Sequence, residues 1–130
     1  MISTIKSKGM LEGKVAVITG STRGFGLVLA RVFLDAGARV VVSSRTPAAV
    51  ESALAGLNQP LRAAGMACDV GRLENVEALV AFTFSRFARL DIWVNNAGIA
   101  GPYGPALGLA PQTFTSVIQT NILGTYHGSL

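Results

Sequence analysis

The chain has little cysteine and little charge. Its 130 residues include one cysteine, Cys68, so no disulfide can form within the chain, a composition typical of reducing compartments. We therefore expect a cytoplasmic protein in which Cys68 is a buried structural thiol. Charged residues make up 14% of the chain, against about 25% in an ordinary soluble domain. Together with 50% hydrophobic residues, this favours a parallel sheet buried on both faces.

Long apolar runs and runs of like charge are also missing. The longest stretch without Asp, Glu, Lys or Arg, residues 92–130, is broken by three prolines, so we predict no membrane-spanning segment. The net charge of +4 comes from basic residues scattered singly, which favours an anionic small ligand over nucleic acid. No metal site is predicted. Residues 1–10 carry two lysines and no apolar core, and we expect a flexible basic extension.

Strand and helix patterns alternate along the rest of the chain. Four short apolar runs are predicted to be strands: Val15–Ile18, Arg39–Ser43, Met66–Cys68 and Asp91–Val94. Segments with helical spacing separate them, and a last helix is predicted from about Gln112. Strands joined by helices require right-handed crossovers, so the predicted fold class is α/β with a parallel sheet.

Two of the predicted helices carry terminal signals. Thr46 followed by Pro47 is typical of an N-cap and a first helical turn. In the helix before the fourth strand, acidic residues near the start and basic residues near the end suit the helix dipole: Glu74, Glu77, Arg86 and Arg89. Its predicted apolar face comprises Val76, Leu79, Val80, Phe84 and Phe87.

A glycine-rich turn joins the first strand to the first helix. Gly20 lets the chain leave the strand in a conformation costly for other residues. Gly24 removes a side chain where a diphosphate would approach the backbone, and Gly26 lets the helix pack closely on the sheet. The free amides and positive dipole end of the helix suit that anion. A glycine-rich turn without a ligand remains the alternative at this point.

Three motifs, in this order, carry a family resemblance. Thr19-Gly20 with Gly24 and Gly26, then Asp69-Val70, then Asn95-Asn96-Ala97-Gly98, resemble the short-chain dehydrogenase/reductase family over residues 11–130. The resemblance implies a Rossmann-type, doubly wound parallel sheet of about four strands in the order 3-2-1-4, with helices on both faces. It further implies an NAD(P)-binding domain over residues 11–130, with Asp69 and Val70 at the adenine and the Asn-Asn-Ala-Gly turn at the ribose. Without the family, Asp69 is interpreted as a strand-end cap and Asn95-Asn96 as a turn.

The end of the second strand bears on the choice of coenzyme. No acidic residue lies between Asp35 and Glu51 to bind a ribose 2′-hydroxyl, as NAD-preferring folds require. Arg45, with Ser44 beside it and Arg23 in the glycine turn, offers donors for a 2′-phosphate instead. We therefore expect NADP(H) to be preferred over NAD(H), the alternative being two solvated surface arginines. The predicted cofactor-binding residues are Gly20, Ser21, Arg23, Gly24, Phe25, Gly26, Ser44, Arg45, Asp69, Val70, Asn96, Ala97 and Gly98.

Catalysis in the resembling family depends on a Ser, a Tyr-x-x-x-Lys pair and an assisting Asn. Asn121 is similar to that assisting Asn, or else a polar residue on a helix face. No lysine follows Lys14, so the 130 residues contain no Tyr-x-x-x-Lys pair. His127 could replace the acid/base or be an ordinary helix residue. We expect the cofactor-binding half of an oxidoreductase that ends before the remaining catalytic residues.

The sequence leaves two functions of different class open. One is hydride transfer between NADP(H) and a small carbonyl or alcohol substrate, performed by a longer form of the protein. The other is a non-catalytic NADP(H)-binding module or regulatory fragment. With the family's strand order, the fourth strand lies at a sheet edge, and unpaired apolar edges favour association. We therefore expect a homo-oligomer or an aggregation-prone chain.

Overall fold

A computed structural model describes residues 9–98, 112 and 124–129 of the chain. Within these residues the strands are β1 (Val15–Ile18), β2 (Arg39–Ser44), β3 (Ala63–Ala67) and β4 (Ile92–Val94). The helices are α1 (Gly24–Asp35), α2 (Pro47–Leu57), α3 (Leu73–Phe87) and α4 (Gly124–Gly128). The predicted alternation of strands and helices is therefore confirmed.

The four strands form one parallel sheet. Their order is β3-β2-β1-β4, as the family resemblance implied. Val17 at the centre of β1 pairs with Val41 of β2 on one side and with Trp93 of β4 on the other. All four residues of β1 are buried, which explains why this strand is apolar at every position rather than at alternate ones.

Helices cover both faces of the sheet, and each face has its own core. Ile18, Val40 and Val42 pack against α1 and α2, where Ala30 and Leu34 are buried. Val15, Val17 and Val41 point to the opposite face, because successive side chains of a strand alternate. That second core is completed mainly by α3, through Val76, Leu79 and Phe87. The doubly wound α/β fold is thus confirmed.

The predicted bounds of the third strand were wrong. The strand covers Ala63–Ala67 and pairs along β2 from Val40 to Ser44, so it begins earlier than Met66 and ends before Cys68. Alanine and glycine carry little intrinsic strand preference, so pairing with β2 rather than local sequence determines this strand. Cys68 follows it directly, its amide donating to the Ser44 carbonyl at 2.8 Å. The predicted burial of Cys68 is confirmed.

The end of α3 also differs from the prediction. The helix stops at Phe87 because Ala88 adopts a left-handed conformation with φ 66°, so Arg89 lies beyond it. The Arg89 guanidinium pairs with the Asp91 carboxylate at 2.7 Å instead of facing the helix dipole. Phe84, predicted to be buried, is 49% exposed. Thr83, the residue before Phe84, is buried instead. Its hydroxyl donates a hydrogen bond to the Leu79 carbonyl at 2.8 Å, so this buried polar group has a partner.

At the start of α2, Thr46 occupies the N-cap position with extended backbone, and Pro47 begins the helix as predicted. The Thr46 hydroxyl makes no capping hydrogen bond, however. Gln112 is helical, whereas Asn121 lies outside the described residues. None of the helices in the described ranges has the length and apolar character needed to cross a membrane.

Candidate functional site

A cleft of about 270 Å³ opens at the carboxyl ends of the strands, around the glycine turn that follows β1. Its lining comprises Gly20, Thr22, Arg23, Gly24, Phe25, Ser44, Arg45, Cys68, Val70, Asn96, Ala97 and Gly98. The structure thus brings together all the predicted cofactor-binding residues except Ser21, Gly26 and Asp69. Ligands of open parallel sheets bind in this kind of crevice.

The glycine turn has the shape of an anion cradle. Gly20 and Gly24 adopt positive φ values of 62° and 59°, which other residues rarely tolerate. A Cβ on Gly20 would lie 2.7 Å from the Ala97 Cα, so the two segments are in close contact. A Cβ on Gly24 would meet nothing within 4 Å. Open space therefore lies in front of the first residue of α1, where helix amides are free to bind a phosphate.

Gly26 has a different structural role from Gly24. A Cβ at this position would collide with the Asn96 side-chain nitrogen and would lie 2.9 Å from the Ser21 Cα. The absent side chain therefore lets α1 approach the turn that follows β4. The Asn96 side chain lies close to the glycine turn as a result, and its Nδ2 donates to the Gly20 carbonyl at 3.0 Å.

Ser21 faces the sheet rather than the cleft. Its hydroxyl donates to the Ile18 carbonyl at 2.6 Å and accepts from the Ser43 amide at 3.0 Å. The Ser21 amide in turn donates to the Ser43 carbonyl at 3.0 Å. This buried serine therefore fixes the glycine turn against the end of β2.

Thr19 is a positioning residue that is not among the predicted cofactor-binding residues, although it belongs to the first family motif. Its hydroxyl donates to the Val94 carbonyl at 3.3 Å and accepts from the amides of Asn96 and Ala97, each at 3.0 Å. The side chain is 2% exposed and so belongs to the core beneath the cleft. A threonine beside Gly20 was visible in the sequence, but its partners lie more than seventy residues away along the chain.

Two arginines stand at the mouth of the cleft. Arg23 occupies the N-cap position of α1, and Arg45 follows the end of β2; both side chains are exposed. The ion pairs found in the described ranges are Arg72–Glu74 and Arg89–Asp91, so neither cleft arginine is neutralised by a carboxylate there. The cleft lining therefore carries a net positive charge.

The segment after β3 forms another wall of the cleft. Val70 is 5% exposed and lines it. The Asp69 carboxylate accepts from the Gly71 amide at 3.0 Å, and the Asp69 amide donates to the Asn75 side chain at 3.1 Å. Asp69 thus caps the end of this strand and orders the segment that carries Val70.

Cys68 also lines the cleft, although it is 3% exposed. Burial raises the pKa of its thiol to about 11. The thiol therefore stays protonated near neutral pH, and it is a poor nucleophile in this setting because reactivity requires the thiolate.

Comparisons with known proteins agree with this architecture. The family profile described as short chain dehydrogenase matches residues 14–130. L-fucose dehydrogenase of Oryctolagus cuniculus is 44% identical over 115 residues, covering 88% of this chain and 39% of that protein. The mitochondrial dehydrogenase/reductase SDR family member 2 of Homo sapiens is 39% identical over 119 residues, covering 91% and 42%. The chain thus spans less than half the length of these curated relatives.

Solved structures show the same similarity. The 3-ketoacyl-(acyl-carrier-protein) reductase of Brucella melitensis, complexed with NADH, superposes with a TM-score of 0.85 at 36% identity, over 92% of this chain and 48% of that one. A short-chain dehydrogenase/reductase of the same organism gives a TM-score of 0.86 at 26% identity, over 94% and 51%. On the matched profile, these relatives and the shared fold, the chain belongs to the short-chain dehydrogenase/reductase family of oxidoreductases and corresponds to an N-terminal portion of its members.

Proposed function

We propose that the chain binds NADP(H) in this cleft, as the cofactor-binding half of an enzyme that transfers hydride between NADP(H) and a small carbonyl or alcohol substrate. The observation that carries the proposal is the cradle at Gly24, where positive φ and open space expose the first amides of α1. A bound coenzyme would supply or accept the hydride. The residues of this chain would hold and orient it.

The strand order suggests which side of the cleft each half of the coenzyme would occupy. The glycine turn follows β1, which lies between β2 and β4 and therefore suits the central diphosphate. Ser44 ends β2, and Arg45 and Val70 follow β2 and β3, so the adenosine half belongs on that side. Asn96 and Ala97 follow β4 and would accommodate the nicotinamide half. Phe25, 69% exposed, offers an apolar surface at the start of α1.

A preference for NADP(H) is supported by the charges in the cleft lining. Arg23 and Arg45 are the cationic side chains in the cleft lining, and no carboxylate of the described residues neutralises them. A charge-assisted hydrogen bond to a 2′-phosphate is worth roughly 1.5–3 kcal/mol, or about tenfold or more in affinity. The Brucella reductase was solved with NADH, which describes the coenzyme of that protein. For the present chain, the preference is inferred from the arginines of its own cleft.

Isothermal calorimetry of the purified chain with NADPH and NADH, at matched salt, tests both parts of the proposal. We expect binding of both coenzymes, with NADPH bound at least about tenfold more tightly. Equal affinities would contradict the NADP(H) preference but leave the cradle intact. No heat with either coenzyme, from a folded sample, would contradict the binding function itself.

A second candidate function is a non-catalytic NADP(H)-binding module. It corresponds to the 130 residues taken alone, in which neither tyrosine is followed four positions later by lysine. Under the first candidate, Asn121 assists proton transfer in the longer, catalytic form of the protein, where Asn121→Ala should lower turnover without changing coenzyme affinity. A carbonyl-reductase assay with NADPH on the protein expressed from the full reading frame separates the candidates, since binding without turnover is expected of the module.

Three further properties are proposed with this function. Residues 11–130 are proposed to form the coenzyme-binding domain, preceded by a basic extension over residues 1–10. A cytoplasmic location is supported by the single cysteine, although the human relative named above is mitochondrial. Self-association is supported by β4, whose outer edge pairs with no other strand in the described residues.

A further inference from the structure

The short helix α4 lies directly against the segment that follows β3. The His127 Nδ1 is 2.8 Å from the Val70 carbonyl oxygen. Because a carbonyl oxygen can only accept, the ring must carry its proton on Nδ1 and donate from there. The bond joins residues 57 positions apart in the chain, so it is a tertiary contact rather than a local turn.

The same helix also packs on the Val70 side chain. Gly124 is buried, and a Cβ at this position would collide with the Val70 Cγ2 and lie 3.0 Å from its Cβ. Gly128, four residues later and so on the same helix face, lies against the side chains of Asn95 and Trp93. Helix α4 therefore spans the segments that follow β3 and β4.

Val70 connects the contacts of α4 to the cleft. Val70 lines the cleft, its side chain contacts Gly124, and its carbonyl accepts a hydrogen bond from the His127 ring. Asp69 and Gly71, its neighbours in sequence, are tied to each other by a hydrogen bond of 3.0 Å. Among the described contacts, the His127 ring is thus the group that fixes the carbonyl between these two residues.

We propose that His127 is a positioning residue for the adenosine half of the cleft. It holds the Val70 backbone so that the Val70 side chain forms a fixed wall, and it does this without lining the cleft itself. Helix α4 has five residues, too few to be stable alone, so its tertiary contacts determine where it sits. This inference rests on the proposed function, which assigns adenosine to that wall.

The test compares His127→Ala and His127→Asn in the full chain, using calorimetry with 2′,5′-ADP and with nicotinamide mononucleotide. His127→Ala removes the donor and should weaken binding of 2′,5′-ADP about three- to tenfold, the usual effect of one hydrogen bond, and leave the mononucleotide within about twofold. Asn places an amide N–H close to the position of Nδ1, so His127→Asn should restore most of the affinity. Equal losses for both ligands, or no rescue by Asn, would overturn the proposal.

Amide hydrogen exchange without any ligand separates this inference from the proposed function. His127→Ala should speed exchange at Gly71, and His127→Asn should restore protection. If the wild-type chain binds neither nucleotide, the proposed function fails, and unchanged exchange at Gly71 would refute the positioning role as well. Should His127→Ala not fold, His127→Gln replaces it, because a Gln amide reaches the Nε2 rather than the Nδ1 position. Unaltered 2′,5′-ADP affinity in His127→Gln would then count against the proposal.

Discussion

The Thr19 hydroxyl joins the end of β1 to the turn after β4 through three hydrogen bonds. Thr19→Val keeps the shape of the side chain and leaves the Ala97 amide without its acceptor, whereas the Asn96 amide keeps a second acceptor, the Val94 carbonyl at 3.0 Å. We expect the free energy of unfolding to fall by about 1–3 kcal/mol in urea denaturation, the cost of one donor left unsatisfied in the folded chain. Thr19→Ser keeps the hydroxyl and is the matched control; an equally large loss in it would contradict this account.

Arg45 and Arg23 provide a prediction about coenzyme choice. Replacing either with Ala should weaken NADPH binding about tenfold and leave NADH binding within about twofold, because NADH has no 2′-phosphate to lose. Calorimetry at low and high salt measures both effects. Arg31→Ala removes an exposed charge from α1 outside the cleft lining and should change neither affinity. A parallel loss of both coenzymes in the cleft variants would indicate misfolding rather than lost recognition.

Cys68 gives stability a pH dependence on the alkaline side. Burial raises the pKa of its thiol from 9.0 to about 11, so the folded chain keeps a proton that the unfolded chain releases. The stabilisation is present below pH 9 and is lost as the pH rises from about 9 to about 11. Urea unfolding of wild type and Cys68→Ala across this range should show a steeper fall for wild type. Parallel curves would mean that the thiol titrates alike in both states.

At the scale of elements, the start of α1 uses two glycines for separate purposes. Gly26→Ala should lower the melting temperature by several degrees, because its Cβ would collide with the Asn96 side chain and crowd the Ser21 backbone. Gly24→Ala has room for its Cβ, so we expect a loss of about 1 kcal/mol for the positive φ and weaker NADPH binding, since the methyl group enters the cradle.

Gly56, in the last turn of α2, is the control for both changes. A Cβ there would meet only the Arg31 side chain, at 3.8 Å, so Gly56→Ala should stabilise the helix by roughly 0.5–1 kcal/mol. Calorimetric melting and NADPH titration of the three variants measure these effects. A Gly24→Ala variant with unchanged NADPH affinity would contradict the cradle.

Elements with strong local signals were predictable from the sequence, and those set by distant partners were not. The valine-rich strands β1 and β2 and the Thr46-Pro47 helix start lie where the pattern put them. The bounds of β3 depend on pairing of small residues with β2, and the burial of Thr83 in place of Phe84 depends on a hydroxyl that finds a helical carbonyl. Neither dependence is visible in a local pattern.

The candidate site divides in the same way. Gly20 and Gly24 could be selected from the sequence because their spacing reflects a backbone requirement, and Asn96 because its motif resembles that of the family. The buried role of Ser21 and the three bonds of Thr19 arise only when β1, β2 and β4 lie side by side. Which of the predicted residues contact coenzyme stays a prediction until binding is measured.

At the scale of the whole molecule, the outer edge of β4 predicts self-association. Ile92 is half-buried, and the strand pairs with β1 alone within the described residues. We expect light scattering at roughly tens of micromolar to detect oligomers or aggregates. Ile92→Lys, a charge at the edge, should shift the chain towards monomer while circular dichroism stays unchanged. A monodisperse wild-type monomer would contradict the prediction.

The chain has one tryptophan, and its place beside β1 gives the protein a built-in optical reporter. The Trp93 indole donates to the Asn95 side chain at 2.9 Å, one residue before Asn96 at the cleft. A reduced nicotinamide ring absorbs light at the wavelengths where indole emits, whereas the oxidised ring does not. Energy transfer from Trp93 should therefore dim its fluorescence when the reduced coenzyme docks, which would reveal both occupancy and redox state without any attached dye.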